Sequence, residues 1–191
     1  MKTSSFIALL PLLLASTPAF ARIDAKDVTY TIQPIIGYEA QRKENPNRTK
    51  VVFIYGARVI AGYKILSAEG EYTHGTSNET FPASSQNIRE TTDRYRLGIR
   101  SSYDLGTLFT FTLRGGGETM KRKTDTTTGG VTTTATAPSK IDPYLGLGTA
   151  LHVASVLSLV GEVVVTMRDW NDMKKNDFST TLGLEIHFNT K

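Results

Sequence analysis

From residue 28 onward the polarity of this sequence alternates residue by residue, and the polar phase carries arginine and glutamate with almost no lysine. Arg58, Arg94, Arg96, Arg100, Arg114 and Arg168 fall on that phase, as do Glu39, Glu69, Glu71, Glu118, Glu162 and Glu185. The lysines lie elsewhere, in the leader, the termini, the connections and the segment ends: Lys26, Lys43, Lys50, Lys64, Lys121, Lys123, Lys140, Lys174, Lys175 and Lys191. A face turned to bulk water mixes both cations. Six arginines balanced by six glutamates indicate an enclosed face where charges must pair, because the planar guanidinium is more weakly hydrated and offers a fork of donors.

The alternation divides into eight segments, at 28–40, 50–62, 64–74, 91–103, 107–119, 141–153, 157–169 and 178–188. A period of two sustained this long specifies strands. Each segment matches the roughly 9 to 11 residues that a tilted strand needs to cross a bilayer. Segments four, five and eight are the cleanest: Tyr95, Leu97 and Ile99 oppose Arg94, Arg96 and Arg100; Phe109, Phe111 and Leu113 oppose Thr110, Thr112 and Arg114; Leu182, Leu184 and Ile186 oppose Thr181, Gly183 and Glu185. Ile35, Val52, Ile54 and Ile60 break the polar phase, and Pro34 removes a ladder donor, which predicts a bulge.

An apolar phase outside and a self-neutralising charged phase inside describe a closed antiparallel barrel in lipid. The interior glycines Gly56, Gly98, Gly116, Gly146 and Gly148 leave room for large side chains. Eight strands enclose only enough space for side chains to fill. The expected interior network is therefore Arg58, Glu69, Glu71, Arg94, Arg96, Arg100, Arg114, Glu118, Glu162, Arg168 and Glu185, with Arg94, Arg96, Arg100 and Arg114 facing Glu69, Glu71 and Glu118 across neighbouring strands.

The connections agree. Those at 62–63, 104–106 and 154–156 are tight, whereas 41–49, 75–90, 120–140 and 170–177 are long and polar, as in an outer-membrane barrel with short periplasmic turns and long outer loops. Tyr30, Tyr63, Tyr103, Phe109 and Phe188 lie toward one end, and Tyr38, Phe53, Tyr55, Tyr72, Tyr95 and Phe178 toward the other, which predicts two aromatic girdles. The threonine-rich stretch 120–140 buries little and is expected to be a mobile, solvated outer loop. The long-loop rim carries Arg42, Lys43, Arg48, Lys50, Lys121, Arg122, Lys123, Lys140, Lys174 and Lys175, suited either to lipopolysaccharide phosphates or to plain solubility.

Residues 1–21 carry the marks of a cleaved secretory leader: Lys2, an apolar run from Phe6 to Leu14, and Ala19-Phe20-Ala21 as a small-x-small site. Cleavage leaves a single domain at 22–191 with a formal charge of +3 in place of +4, too mild to indicate nucleic acid. With no cysteine, disulfides and thiolate metal sites are excluded. The mean hydropathy of −0.20 does not exclude a membrane barrel, since only alternate residues touch lipid.

Little in the chain points to chemistry. Of the three histidines, His152 and His187 lie inward near the short-turn end and His74 sits at a loop edge. A metal site needs a third ligand and outer-shell support, and no metal or other cofactor is expected. Ser158 with His152 or His187 is a conceivable nucleophile set, but no nucleophile elbow accompanies it. A lipocalin-like cavity would need an apolar interior.

The last segment places Thr181, Gly183, Ile186 and Phe188 at the polar, glycine, apolar and aromatic positions of a pattern that resembles the C-terminal assembly signal of outer-membrane barrels, although Asn189, Thr190 and Lys191 follow the aromatic. Over residues 27–188 the chain resembles the OmpA/OmpX-like superfamily of small outer-membrane β-barrels. That resemblance implies an eight-stranded up-and-down barrel in a Gram-negative outer membrane, with lipid, lipopolysaccharide and the assembly machinery as partners. The members include anchors, adhesins, narrow pores and a few lipid-modifying enzymes. The expectation is a monomeric, non-enzymatic barrel with a structural or surface-interaction role; a narrow pore and, more distantly, a lipid-modifying enzyme are the alternatives.

Overall fold

The computed structural model describes residues 28–43, 48–169, 171–172 and 175–189; the proposed leader lies outside these. The strands are β1 (Thr29–Lys43), β2 (Arg48–Gly62), β3 (Ser67–Phe81), β4 (Gln86–Leu105), β5 (Phe109–Thr128), β6 (Val131–Ala137), β7 (Ile141–Ala154), β8 (Leu157–Thr166) and β9 (Asp177–Asn189). All pairings are antiparallel, and β1 pairs with both β2 and β9. With β4 on β5 and β5 on β7, eight strands close into a ring. β6 stands outside the ring, paired only to the far end of β5.

The alternation sorts the side chains as its period requires. Leu97 and Ile141 are 73% and 77% exposed on the outside, whereas Arg58 and Glu118 are fully buried inside. Ile35, Val52, Ile54 and Ile60 share the buried inner face, so the apolar interruptions fill interior volume. Ten of the eleven aromatics assigned to the girdles are exposed on the outer phase, and Tyr63 is half-buried. Tyr38, Phe53, Tyr55, His74, Tyr72 and Tyr95 form neighbouring ring contacts over β1–β4 at the long-hairpin end.

Three expectations are corrected. Pro34 introduces no bulge: β1 and β9 keep one register on both sides of it, and the ladder lacks only the pairs at Gln33 and Pro34. The register shifts instead between β7 and β8, at His152/Ala154. Stretches 75–90 and 120–140 are largely not loops. β3 and β4 continue to a short 3-10 turn at Pro82–Ser84, and β5 and β6 form a hairpin through Gly129 and Gly130, at φ +57° and +83°. Two successive positive φ values define a two-residue hairpin turn that glycine adopts without strain, and β-branched threonine favours extended backbone. The stretch expected to be a mobile loop is therefore a two-stranded extension, with β6 exposed along its whole length.

Candidate functional site: the barrel interior and its two mouths

Every barrel strand sends a polar side chain into one ion-paired network. Glu71 on β3 receives Arg58 at 2.5 Å, Arg96 at 2.6 Å and Arg114 at 2.9 Å. Glu118 on β5 receives Arg94 at 2.6 Å, Arg96 at 2.7 Å and Arg168 at 2.8 Å. Arg96 thus joins the two clusters. Glu162 on β8 bridges Arg58 and Arg114 at 2.6 and 3.0 Å, and Glu69 receives Arg114 at 2.7 Å. Arg94 also pairs with Glu39, and Gln33 accepts from Arg58 at 2.8 Å. Charges removed from water this completely are tolerated only when paired and hydrogen-bonded.

Many of these contacts cross the lumen. Arg58 on β2 reaches Glu162 on β8, and Arg94 on β4 reaches Glu39 on β1. Arg100 departs from expectation: it pairs with Glu185 on β9 at 2.5 Å, on the opposite side of the ring, and not with Glu69, Glu71 or Glu118. The reason is height. Arg100 lies near the short-turn end, where the opposing carboxylate is Glu185. Space for these long side chains comes from glycine. A Cβ on Gly146 would stand 2.7 Å from Arg114 Cγ, and one on Gly148 would stand 2.6 Å from Glu162 Cγ.

Sequence reasoning missed Tyr144. Its hydroxyl donates to Glu69 at 2.6 Å, and its ring lies beneath the Arg96 and Arg114 guanidiniums at 5.6 and 5.2 Å, a cation–π geometry. The signal was available, since Tyr144 lies on the inner phase between two outward residues. Asp142 and Asp177 were also missed; both are buried and pair with Arg168, Asp177 at 3.0 Å. Lys50 departs from the lysine rule, being buried at the mouth and paired with Glu90 at 2.8 Å and Glu79 at 3.4 Å.

At the short-turn end, His152 and His187 are brought together through Ser158, with Oγ 2.8 Å from His152 Nδ1 and 3.2 Å from His187 Nε2. Thr110 Oγ1 lies 2.8 Å from His152 Nε2 and donates to Asp104 at 2.7 Å, while Thr31 Oγ1 lies 3.1 Å from His187 Nδ1. The carboxylate fixes the direction for neutral rings. Thr110 spends its only proton on Asp104, so it accepts from His152 Nε2–H. His152 Nδ1 then accepts from Ser158, Ser158 accepts from His187 Nε2–H, and His187 Nδ1 accepts from Thr31. This relay crosses the seam where β9 meets β1. A cavity of about 240 Å³ beside it is lined by both histidines, Arg100 and Glu185, but not by Ser158, which is fully buried. A nucleophile must meet its substrate, and this hydroxyl has no such access. Among the described residues, no group of three or more histidine, aspartate or glutamate side chains is placed to hold a metal ion.

At the long-hairpin mouth, a cleft of about 410 Å³ lies between the β5–β6 hairpin and the connection from β8 to β9, with Arg122, Lys140, Arg168 and Lys175 on its walls. Asp169 in that connection accepts the Asn171 backbone N–H at 2.9 Å, which holds its carboxyl below the usual carboxylate range. Lys121 lies outside the cleft, 5.8 Å over the Tyr95 ring. The side chains of Arg42, Lys43 and Arg48, and Lys174 altogether, lie outside the described residues. On β9, Thr181 and Gly183 point inward, while Ile186 and Phe188 are exposed on the outer face.

The sequence matches the outer membrane protein beta-barrel domain family over residues 7–185. No curated protein matches the sequence. Solved structures share the fold at low identity. A major outer membrane protein from Thermus thermophilus superposes with a TM-score of 0.64 at 13% identity, over 84% of this chain and 99% of that one. Ail of Yersinia pestis, determined in complex with the heparin analogue sucrose octasulfate, gives 0.59 at 9% identity, over 84% and 98%. Neisserial surface protein A gives 0.56 at 11% identity, over 85% and 97%. The outward apolar belt and the closed ring place this molecule in the bacterial outer membrane, and the chain belongs to the outer membrane protein β-barrel domain family.

Proposed function

We propose that this barrel is a closed, non-enzymatic, monomeric outer-membrane protein with a structural and surface-interaction role. The observation that carries the reading is the interior: Arg58, Arg96, Arg114, Glu71, Glu118 and Glu162 are buried and mutually paired across the lumen. An eight-stranded ring has room for side chains and little else, so such a network acts as a plug. The burial of Ser158 away from the adjacent cavity speaks against the lipid-modifying alternative.

The orientation follows from the sorted connections. The tight turns face the periplasm, and the long hairpins with their basic residues face outward, where Lys121, Lys123 and Lys140 meet lipopolysaccharide phosphates. Thr181, Gly183, Ile186 and Phe188 on the last strand serve recognition by the assembly machinery, with the two outward apolar side chains as its handle.

The test is osmotic swelling of proteoliposomes in small sugars. A closed barrel gives the rate of empty liposomes. Swelling that scales with protein content would establish the narrow pore in its place.

A further inference from the structure

Arg122 is bound unlike the other arginines of the inner phase. Arg58, Arg96 and Arg168 each make at least two contacts within 3.1 Å. The contacts of Arg122 are Gln41 Oε1 at 3.4 Å, Glu90 Oε1 at 3.6 Å and Met120 Sδ at 3.7 Å. The oxygen contacts exceed the 2.7–3.2 Å of a good N–H···O hydrogen bond. Its Nε is buried with no hydrogen-bond partner among the described residues, as are Arg94 Nε and Arg114 Nη2, but those two guanidiniums hold carboxylates at 2.6 and 2.7 Å and Arg122 holds none closer than 3.6 Å. A guanidinium carries five donors, and this one lies on the wall of the 410 Å³ cleft at the long-hairpin mouth.

We propose that this cleft binds a sugar carrying a phosphate or sulfate ester, with the ester on Arg122. The cleft volume is in the range of small-ligand sites, about 300–1,000 Å³, and too large for a bare oxyanion. The planar fork matches a tetrahedral oxyanion in bidentate fashion. Lys140, 71% exposed and paired with Asp142 at 3.0 Å, and Lys175, 47% exposed and 3.6 Å from Asp169, bring the cleft to four cations against three carboxylates. The same walls carry Asp142, Asp169 and Asp177. Three carboxylates disfavour a polyanionic peptide, yet each accepts hydroxyl protons, and a sugar ester supplies one anion with several hydroxyls. Met120 and Pro138 give the ring a less polar surface. The inference rests on the outward orientation proposed above, not on closure of the lumen.

The test is calorimetric titration of the folded barrel in micelles with glucose 6-phosphate, glucose 6-sulfate, glucose and inorganic phosphate. The variants are Arg122→Gln and, as a control on the outward phase of β4, Arg89→Gln. Heat-shifted gel mobility establishes that each variant is folded. The expected result is binding of both esters more tightly than of glucose or phosphate, weakened roughly tenfold or more in Arg122→Gln, the loss of one charge-assisted bidentate contact, and unchanged in Arg89→Gln. Equal binding by Arg122→Gln, or inorganic phosphate binding as tightly as the esters, overturns the proposal. A second arm weighs the lipopolysaccharide that copurifies from outer membranes. Loss of it in Arg122→Gln assigns the ester to the protein's own membrane; retention, together with weakened ester binding, assigns it to a free glycan. Failure of ester binding in a barrel that causes no liposome swelling removes the cleft and leaves the closed-barrel reading standing.

Discussion

The barrel interior and the β5–β6 hairpin are built from the same extended backbone, and opposite principles hold them. In the interior, Arg96 contacts Glu71 and Glu118 while almost fully withdrawn from water. In the hairpin every residue of β6 is exposed, and order comes from the backbone ladder, the Gly129-Gly130 turn and contacts such as the Thr134 hydroxyl on Asp125 at 2.6 Å. Burial makes each interior charge dependent on its partners, because an unpaired charge there is costly. Exposure makes each hairpin contact dispensable. Stability should therefore be concentrated in the lumen and nearly absent from the extension.

The largest effect expected is from Glu71→Ala, which leaves Arg58, Arg96 and Arg114 without their common carboxylate. Removing one partner of a buried pair costs about 3–5 kcal/mol, whereas Lys123→Ala on the hairpin should stay within about 0.5 kcal/mol. Urea midpoints in lipid vesicles measure both, and equal midpoints would break the comparison.

Ser158→Ala should cost less, about 0.5–1.5 kcal/mol, since it removes the hydroxyl shared by two half-buried imidazoles. In the wild type, nitrogen-correlated NMR should find neutral His152 protonated on Nε2; a proton on Nδ1 would reverse the relay derived from Asp104.

Gly130→Val should strip hydrogen-exchange protection from β6, because a β-branched residue at φ +83° is strained by roughly 1–3 kcal/mol. The urea midpoint of the barrel should stay where it is; a parallel fall would show that the hairpin contributes to barrel stability.

The smallest effect concerns Asp125, whose carboxyl the Thr134 hydroxyl and then Lys123 hold below the usual range. A lowered carboxylate contributes stability above its unfolded value near 3.9 and loses it as pH falls through the folded value. Thr134→Ala should move the NMR titration of Asp125 upward. An unmoved titration would mean that the two threonine-rich strands are not paired in solution.

The strands were legible because alternation is local: Tyr95 to Arg100 announce β4 without knowledge of any neighbour. The network membership of Arg58, Glu71 and Glu118 was legible for the same reason, since the phase of a strand decides which side chains face in. Partner choice was legible only in part: Arg94, Arg96 and Arg114 meet carboxylates of the expected set, Glu118, Glu71 and Glu69, and Arg100 does not. Arg100 meets Glu185 across the lumen, and that depends on ring closure and relative height, which no single segment encodes. Asp142 and Asp177 were hidden at strand ends, where the alternation blurs into the connections. The hairpin was misread because low complexity suggested disorder, although a Gly-Gly pair between threonine runs carries the local signal of a two-residue turn.

The central claim is that paired charges close the lumen, and planar-bilayer recording of the purified wild-type barrel tests it most directly. The account predicts a flat baseline at physiological salt, with steps emerging only in a variant such as Glu71→Ala that loosens the network. Stable, discrete conductance steps from the wild type, scaling with the amount of protein inserted, would contradict it.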